Sequence, residues 1–143
     1  MLRSPLIHPP LLAALAAAGH GGRVLLADAN YSHSTNVHPR AAVVHLNVRP
    51  GLVTVDQVLE PVLAILPVES ATVMRPDDGS TPAAFGRYQE MLGGLPLQPL
   101  SRLDFYAACR EPDLAVCVAT GDDRLYANIL LTIGYLAPGQ PGA

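Results

Sequence analysis

The chain has 143 residues, half of them hydrophobic, with a net charge of −3 and a mean hydropathy of +0.27. A chain of this length can bury one sizeable core, so we expect a single domain over residues 1–137 and a disordered Pro/Gly-rich tail over residues 138–143. The acidic balance and the absence of an arginine cluster argue against nucleic-acid and anionic-membrane partners.

Several chemistries are excluded by what the chain lacks. It contains no lysine, which excludes Schiff-base catalysis and a P-loop phosphate site. Neither a signal-peptide core nor an apolar run of membrane-spanning length is present, so a cytoplasmic protein is expected. Cys109 and Cys117 have no metal-ligand spacing, and we predict buried free thiols rather than a disulfide framework.

The first elements in the chain are a helix and two apolar strands. Apolar residues at helical spacing predict a helix over Pro9–Ala18, which Gly19 ends. The runs Arg23–Ala27 and Ala41–Leu46 have strand length and are too apolar for exposed strands, so central positions are predicted. The polar segment Asn30–Arg40 between them is long enough to form the rim of a pocket.

A second helix and a third strand follow. Thr54 and Gln57 form a capping-box pattern that opens a helix reaching about Leu66. Pro61 inside this helix predicts a kink or an early stop. The next apolar segment, Ser70–Met74, is predicted to be a strand.

The C-terminal half repeats the alternation of helix and strand. A helix is predicted over Pro82–Leu92, and Ser101 with Asp104 forms the capping pattern of another helix that ends near Arg110. Strands are predicted over Leu114–Ala119 and Tyr126–Ile133. The whole order predicts an α/β fold, a three-layer α/β/α sandwich with a mainly parallel central sheet.

Polar residues stand out at the ends of these predicted elements, where a fold can hold side chains in a cleft while its core stays dry. The conspicuous segments are Gly19-His20-Gly21-Gly22 leading to Asp28-Ala29-Asn30, then Ser101-Arg102, and finally Tyr126-Ala127-Asn128. Their positions predict a small-molecule site.

Together and in this order, the motifs resemble the ribose pyranase and fucose mutarotase (RbsD/FucU) family. The matching motifs are His-Pro-x-Leu-Leu at 8–12, Gly-His-Gly at 19–21, Asp28-Ala29, Arg102 followed by Phe105-Tyr106, and Thr120-Gly-Asp with Tyr126-Ala-Asn-Ile. They span residues 8 to about 134. The resemblance implies a cofactor-independent enzyme that interconverts anomers, or pyranose and furanose forms, of a free monosaccharide. It also implies a homo-oligomeric ring, a decamer or smaller.

The resemblance also assigns roles to five residues. His20 matches the family's proton-donating histidine, and Asp28 matches its sugar-binding aspartate. Arg102 matches the arginine that contacts substrate in the fucose branch. Tyr126 and Asn128 match the C-terminal sugar-binding pair.

The identity of the sugar depends on which branch of the family the motifs match. Arg102 and the adjacent Phe105-Tyr106 favour the fucose branch, so L-fucose or a related sugar is expected. The segment after Asp28 departs from that branch, whose pattern resembles Ala-His-Phe-Pro. Here the chain has Ala29-Asn30-Tyr31-Ser32.

The residue types suit the chemistry. Mutarotation needs a proton delivered to the ring oxygen and another removed from the anomeric hydroxyl, and an imidazole can do either near neutral pH. We therefore expect His20 to be the acid/base group. Asp28 would accept hydrogen bonds from sugar hydroxyls or orient His20. Arg102, Tyr126 and Asn128 offer further donors and acceptors.

Other interpretations remain open. His20 alone would be a histidine at a helix C-terminus, and Arg102 a solvated residue in a first helical turn. His33, His38 and His45 match no metal-ligand pattern, so loop or rim positions are expected and no metal site is predicted. The main alternative function is a non-catalytic monosaccharide-binding or regulatory protein. The motifs of hydrolases and nucleotide-binding proteins are missing.

Overall fold

Helices and strands alternate along residues 1–139, the part of the chain that the computed structural model describes. In chain order the elements are α1 (Pro9–Ala18), β1 (Arg23–Ala27), β2 (Ala42–His45), α2 (Val55–Leu63), β3 (Val68–Met74), α3 (Ala84–Met91), β4 (Leu97–Leu100), α4 (Arg102–Cys109), β5 (Leu114–Ala119) and β6 (Ile129–Ile133).

The strands form one sheet in the order β2-β5-β1-β6-β3-β4. Strand β6 is antiparallel to both of its neighbours, β1 and β3, while the pairs β1–β5, β2–β5 and β3–β4 are parallel. Five strands therefore run in one direction, which confirms the mainly parallel sheet. The carboxyl ends of these five strands lie at one end of the sheet, and β6 begins at that same end.

Hydrophobic cores lie on both faces of the sheet. On one face α1, α2 and α3 pack through residues such as Leu11, Val58 and Tyr88. On the other face α4 contributes Phe105, and the loop after β1 contributes Tyr31. Helices on both faces confirm the predicted α/β class.

Local sequence signals account for two helix starts. The Thr54 N–H donates to Gln57 Oε1 at 3.0 Å before α2, as the capping-box pattern predicts. Ser101 Oγ accepts from the Asp104 N–H at 3.2 Å at the start of α4. Gln57 in the first case and Ser101 in the second accept from backbone N–H groups that have no partner within the helix.

Strand β2 was predicted to be central, but it lies at an edge of the sheet and three of its four residues are exposed, because the pairing of all the strands, not the apolar composition of one, sets its position. Three further features differ from the sequence-based prediction. Strand β4 was not predicted, because its Pro99 lacks a backbone donor; the strand is tolerated since it lies at the sheet edge. Helix α2 ends at Leu63, two residues after Pro61 and before the predicted Leu66. Strand β6 begins at Ile129 rather than Tyr126, because Tyr126 has a φ of 61°.

The remaining predictions concern the cysteines, membrane spans and the tail. Cys109 and Cys117 are free and buried, as predicted, and burial raises the pKa of their thiols to about 11 and about 12. No helix within residues 1–139 is long and apolar enough to cross a bilayer. The predicted disordered tail covers residues 138–143, of which 140–143 lie outside the described residues.

Candidate functional site

A cavity of about 250 Å³ opens at the end of the sheet where the parallel strands have their carboxyl ends. The loops that follow β1 and β4 and the segment that precedes β6 meet there. The structure thereby brings together four of the five predicted site residues. The cavity is lined by Asp28, Asn30, Tyr31, Met74, Arg102, Tyr106, Leu125, Tyr126 and Asn128.

Asp28 and Asn128 bind each other at the floor of this cavity. The Asp28 N–H donates to Asn128 Oδ1 at 2.8 Å, and Asn128 Nδ2 donates to Asp28 Oδ2 at 2.9 Å. The other carboxylate oxygen of Asp28 accepts from the Asn30 N–H at 3.0 Å. These bonds hold both side chains in one orientation although they lie 100 residues apart in the chain.

The carboxyl group of Asp28 is buried, and burial raises its pKa above the usual value of 3.8. Hydrogen bonds from backbone N–H groups and from Asn128 partly oppose this rise. A buried carboxylate whose lone pairs still face a cavity is a strong acceptor for ligand hydroxyl groups.

Tyr126 projects from a strained stretch of backbone. Its φ of 61° lies in the left-handed region, which residues other than glycine, asparagine and aspartate seldom occupy. With Leu125 it separates the first cavity from a wider one of about 610 Å³, which is also lined by Asp77, Asp78 and Arg124. Strained residues held at the mouth of a cavity are typical of ligand sites.

Arg102 begins α4 and lies at the cavity edge. Its Nε is 3.9 Å from Asp77 Oδ2, and 45% of its side chain is exposed. This long, solvated ion pair costs little to rearrange, so the guanidinium can turn its planar set of donors toward a ligand.

One wall of the cavity is apolar and was not predicted as part of a site. Met74 is the last residue of β3, and Tyr31 packs edge-to-face on Tyr106 with ring centroids 5.5 Å apart. The Tyr31 hydroxyl donates to the Asn36 carbonyl at 2.8 Å, which orders the loop. The position of Met74 at a strand end was the one available sequence signal, since that edge of a sheet commonly binds ligands.

His20 does not line this cavity. It precedes β1, whereas Asp28 follows β1, and a five-residue strand separates them by about 16 Å or more. His20 Nε2 lies 3.3 Å from Glu69 Oε2, its ring meets Tyr135 at 5.6 Å, and 57% of the side chain is exposed. Within one chain Asp28 therefore does not orient His20.

Charged side chains support the loop that carries Tyr126 and Asn128. Asp122 is fully buried, and its carboxylate accepts from the Val55 N–H at 2.8 Å and from Arg124 Nε at 2.9 Å. Arg124 also contacts Asp56. Burial alone would raise the pKa of Asp122, but the hydrogen bonds from Arg124 and Val55 outweigh it and lower that pKa below 3.8.

The other histidines of interest face a separate cleft beside β2. His33, His38 and His45 line it, and the rings of His33 and His45 meet edge-to-face at 5.5 Å. Among residues 1–139, no three His, Cys, Asp or Glu side chains are placed to hold a metal ion. This cleft shares no lining residue with the cavity around Asp28.

Comparison with known proteins gives consistent matches over nearly the whole chain. A family model described as the RbsD / FucU transport protein family matches residues 1–136. D-ribose pyranase of Paracidovorax citrulli is 35% identical over 136 residues, covering 94% of this chain and 98% of that protein. Fucose mutarotase of Mus musculus is 35% identical over 147 residues, covering 93% and 92%.

Solved structures agree with these sequence matches. The fucose mutarotase of Streptococcus pneumoniae in complex with L-fucose superimposes with a TM-score of 0.81 at 30% identity, covering 96% of this chain and all of that one. RbsD of Bacillus subtilis complexed with D-ribose superimposes with a TM-score of 0.83 at 21% identity, with the same coverage, and supports the fold.

Proposed function

The chain belongs to the RbsD/FucU family, and we propose that it is an isomerase that accelerates exchange between the anomers or ring forms of a free monosaccharide, without a cofactor. The observation that carries this proposal is the convergence of Asp28, Arg102, Tyr126 and Asn128 on one small cavity.

The cavity suits a polyhydroxylated ligand of this size. Its volume of about 250 Å³ lies just below the usual range for drug-sized ligands, which leaves room for a single sugar ring. Asp28 would accept hydrogen bonds from hydroxyl groups, and Arg102 would donate to oxygens. Tyr126 and Asn128 would complete the set of polar contacts.

The sugar we propose is L-fucose or a related 6-deoxy sugar. Relatives named D-ribose pyranase and relatives named fucose mutarotase match this chain at similar identity, so overall similarity does not favour either sugar. The apolar wall formed by Met74, Tyr31 and Tyr106 favours a ligand with a methyl group, because a methyl gains from burial against carbon. D-ribose has no such group.

We propose acid/base ring opening as the mechanism. A proton goes to the ring oxygen while another leaves the anomeric hydroxyl, the bond between the anomeric carbon and the ring oxygen breaks, and a carbonyl forms. Rotation of this carbonyl and the reverse transfers close the other anomer. General acid–base assistance contributes about 10² to 10⁴-fold, which is sufficient for a reaction that proceeds in water unaided.

His20 is the proposed acid/base group, and it would act in the cavity of a neighbouring subunit. Its imidazole is far from its own chain's cavity, is exposed, and contacts Tyr135, which is itself exposed and is followed by the exposed Leu136. Apolar residues exposed in this way favour burial between subunits. We therefore propose a homo-oligomeric ring, a decamer or smaller, in which each site combines residues of two chains.

A sugar-binding protein without catalytic activity is the second candidate. One observation favours it: a single chain already assembles the four proposed binding residues, while the proposed acid/base group lies outside the cavity. Such a protein would bind a monosaccharide and leave anomer exchange at its rate in buffer.

Saturation-transfer NMR of anomeric protons separates the two candidates. L-fucose, D-ribose, D-galactose and other free sugars are tested with the wild type, with His20→Ala, and with His45→Ala as a matched exposed-histidine control. We expect faster exchange of L-fucose in the wild type and in His45→Ala, and a loss of about 10²-fold or more in His20→Ala. Binding without accelerated exchange of any sugar would instead establish the non-catalytic candidate.

A further inference from the structure

We propose that Tyr88, a residue outside the cavity, positions the two sugar-binding side chains Tyr126 and Asn128. This inference rests on the proposed function, since it concerns the same cavity. The Tyr88 hydroxyl donates to the carbonyl of Ala127 at 2.7 Å, and Ala127 is the residue between the two.

Tyr88 reaches this carbonyl from the opposite layer of the protein. It lies on α3 and belongs to the core that α1, α2 and α3 form on one face of the sheet. Tyr126 packs against the core on the other face. The hydroxyl group thus connects the two layers through a hydrogen bond at the end of the sheet where the cavity opens.

The donor of this hydrogen bond stays protonated at physiological pH. Tyr88 is fully buried, and burial holds the pKa of its hydroxyl far above the usual value, so the proton that it donates is always present. The carbonyl of Ala127 also lies in a buried segment, where an unmet acceptor is costly.

The segment needs an external constraint because its backbone is strained. Tyr126 has a φ of 61°, a conformation that persists in a non-glycine residue only where the surroundings enforce it. Two residues later, Asn128 must present its amide to Asp28 at 2.8 to 2.9 Å. A small rotation of the peptide plane of Ala127 would move both side chains.

The test is Tyr88→Phe, which removes one oxygen and keeps the ring that packs beside Phe85. Sugar affinity is measured by NMR titration with L-fucose, together with the amide chemical shifts of Asp28 and Asn128. We expect the dissociation constant and KM to rise roughly 5- to 30-fold, the consequence of losing one buried hydrogen bond, with a smaller change in kcat. The two amide signals should shift.

Val116→Ala is the control for a merely structural role. Val116 is a fully buried residue in the middle of β5 and shares the same core as Tyr88. Its truncation should lower the melting temperature and leave the sugar affinity within about 2-fold of the wild type. An equal loss of affinity in Val116→Ala would show that Tyr88 acts through general stability and would overturn the proposal.

The readouts also separate this inference from the proposed function. If the wild type binds L-fucose without accelerating exchange, catalysis fails and Tyr88 is judged by the dissociation constant. If no sugar binds, the proposed function fails and the amide shifts of Asp28 and Asn128 still decide whether Tyr88 positions this segment. Unchanged shifts in Tyr88→Phe would overturn the inference in either case.

Discussion

Asp28 and Asn128 illustrate how single residues build the cavity floor. The Asn128 amide accepts from the backbone N–H of Asp28 and donates to the Asp28 carboxylate, so this amide has a defined orientation. Because burial raises the folded-state pKa of Asp28 above 3.8, its ionised form lowers stability at neutral pH. That loss is regained as the pH falls through the raised pKa toward 3.8, so holding an ionised Asp28 in the cavity carries a cost in stability.

Gly121 has a different role, since any side chain at its position would meet backbone. A Cβ would lie 2.2 Å from the carbonyl oxygen of Leu52 and 2.3 Å from that of Arg49. The turn formed by residues 49–52 therefore packs directly on Gly121. We expect Gly121→Ala to lower the free energy of unfolding by about 1–3 kcal/mol, because neither carbonyl belongs to a flexible side chain.

Urea unfolding of Gly121→Ala beside Gly86→Ala measures this effect. Gly86 lies inside α3, and a Cβ there would meet nothing within 4 Å. The second variant is expected to gain up to about 1 kcal/mol of stability from higher helix propensity. Equal stabilities for the two variants would contradict the close approach of the turn at Gly121.

At the scale of elements, the N-terminus of α2 is hydrogen-bonded to a carboxylate from a distant loop. Its first N–H, that of Val55, donates to Asp122, and Arg124 holds the same carboxylate. A negative charge at a helix N-terminus is favourable because it meets free N–H groups and the positive end of the helix dipole. The contact ties α2 to the loop that leads to Tyr126.

Asp122 should make the protein sensitive to acid. Its folded-state pKa is lowered below 3.8, so its contribution to stability is fully present above pH 3.8 and is lost as the pH falls below that value. Asp122→Asn removes this dependence. We expect the variant to be about 1–3 kcal/mol less stable at pH 7, because a hydrogen-bonded charge is lost.

Chemical unfolding from pH 7 down to pH 3 measures this prediction. The difference in stability between the wild type and Asp122→Asn should shrink at the acid end of the range. Asp123→Asn serves as the control, because Asp123 is the exposed neighbour. A difference that stays constant with pH would contradict the assignment of this acid sensitivity to Asp122.

At the scale of the whole molecule, the proposed acid/base group and the cavity lie at opposite ends of β1. A ring in which each subunit contributes His20 to its neighbour would bring them together. Light scattering should therefore give the mass of an oligomer, and a monomeric mass at micromolar concentration would contradict the proposal. The predicted single domain over residues 1–137 and the cytoplasmic location stay predictions.

Mixed oligomers test the sharing of the site directly. His20→Ala and Asn128→Ala, each inactive alone, are produced together and purified through two different tags. Random mixing leaves about a quarter of the sites with an intact His20 from one chain and an intact Asn128 from the next, so exchange activity should return. Oligomers of His20→Ala alone are the control, and mixed oligomers without activity would contradict a shared site.

Local signals made much of this protein readable from its sequence. Residue patterns correctly predicted the bounds of α1, β1 and β5, because helical spacing, glycine stops and continuous apolar runs are properties of neighbouring residues. The capping patterns at Thr54 and Ser101 correctly marked two helix starts for the same reason. Four polar residues at predicted element ends also converge in one cavity, since these ends meet at one edge of the sheet.

Only the tertiary structure decided the features that depend on distant contacts. Strand β4 forms despite Pro99 because it lies at the sheet edge, a position that depends on how all the strands pair. Met74 joins the site because β3 ends beside the loop after β1, and Tyr88 reaches Ala127 from another layer. His20 and Asp28 are only eight positions apart in the sequence, but they lie at opposite ends of β1 because a strand is an extended element.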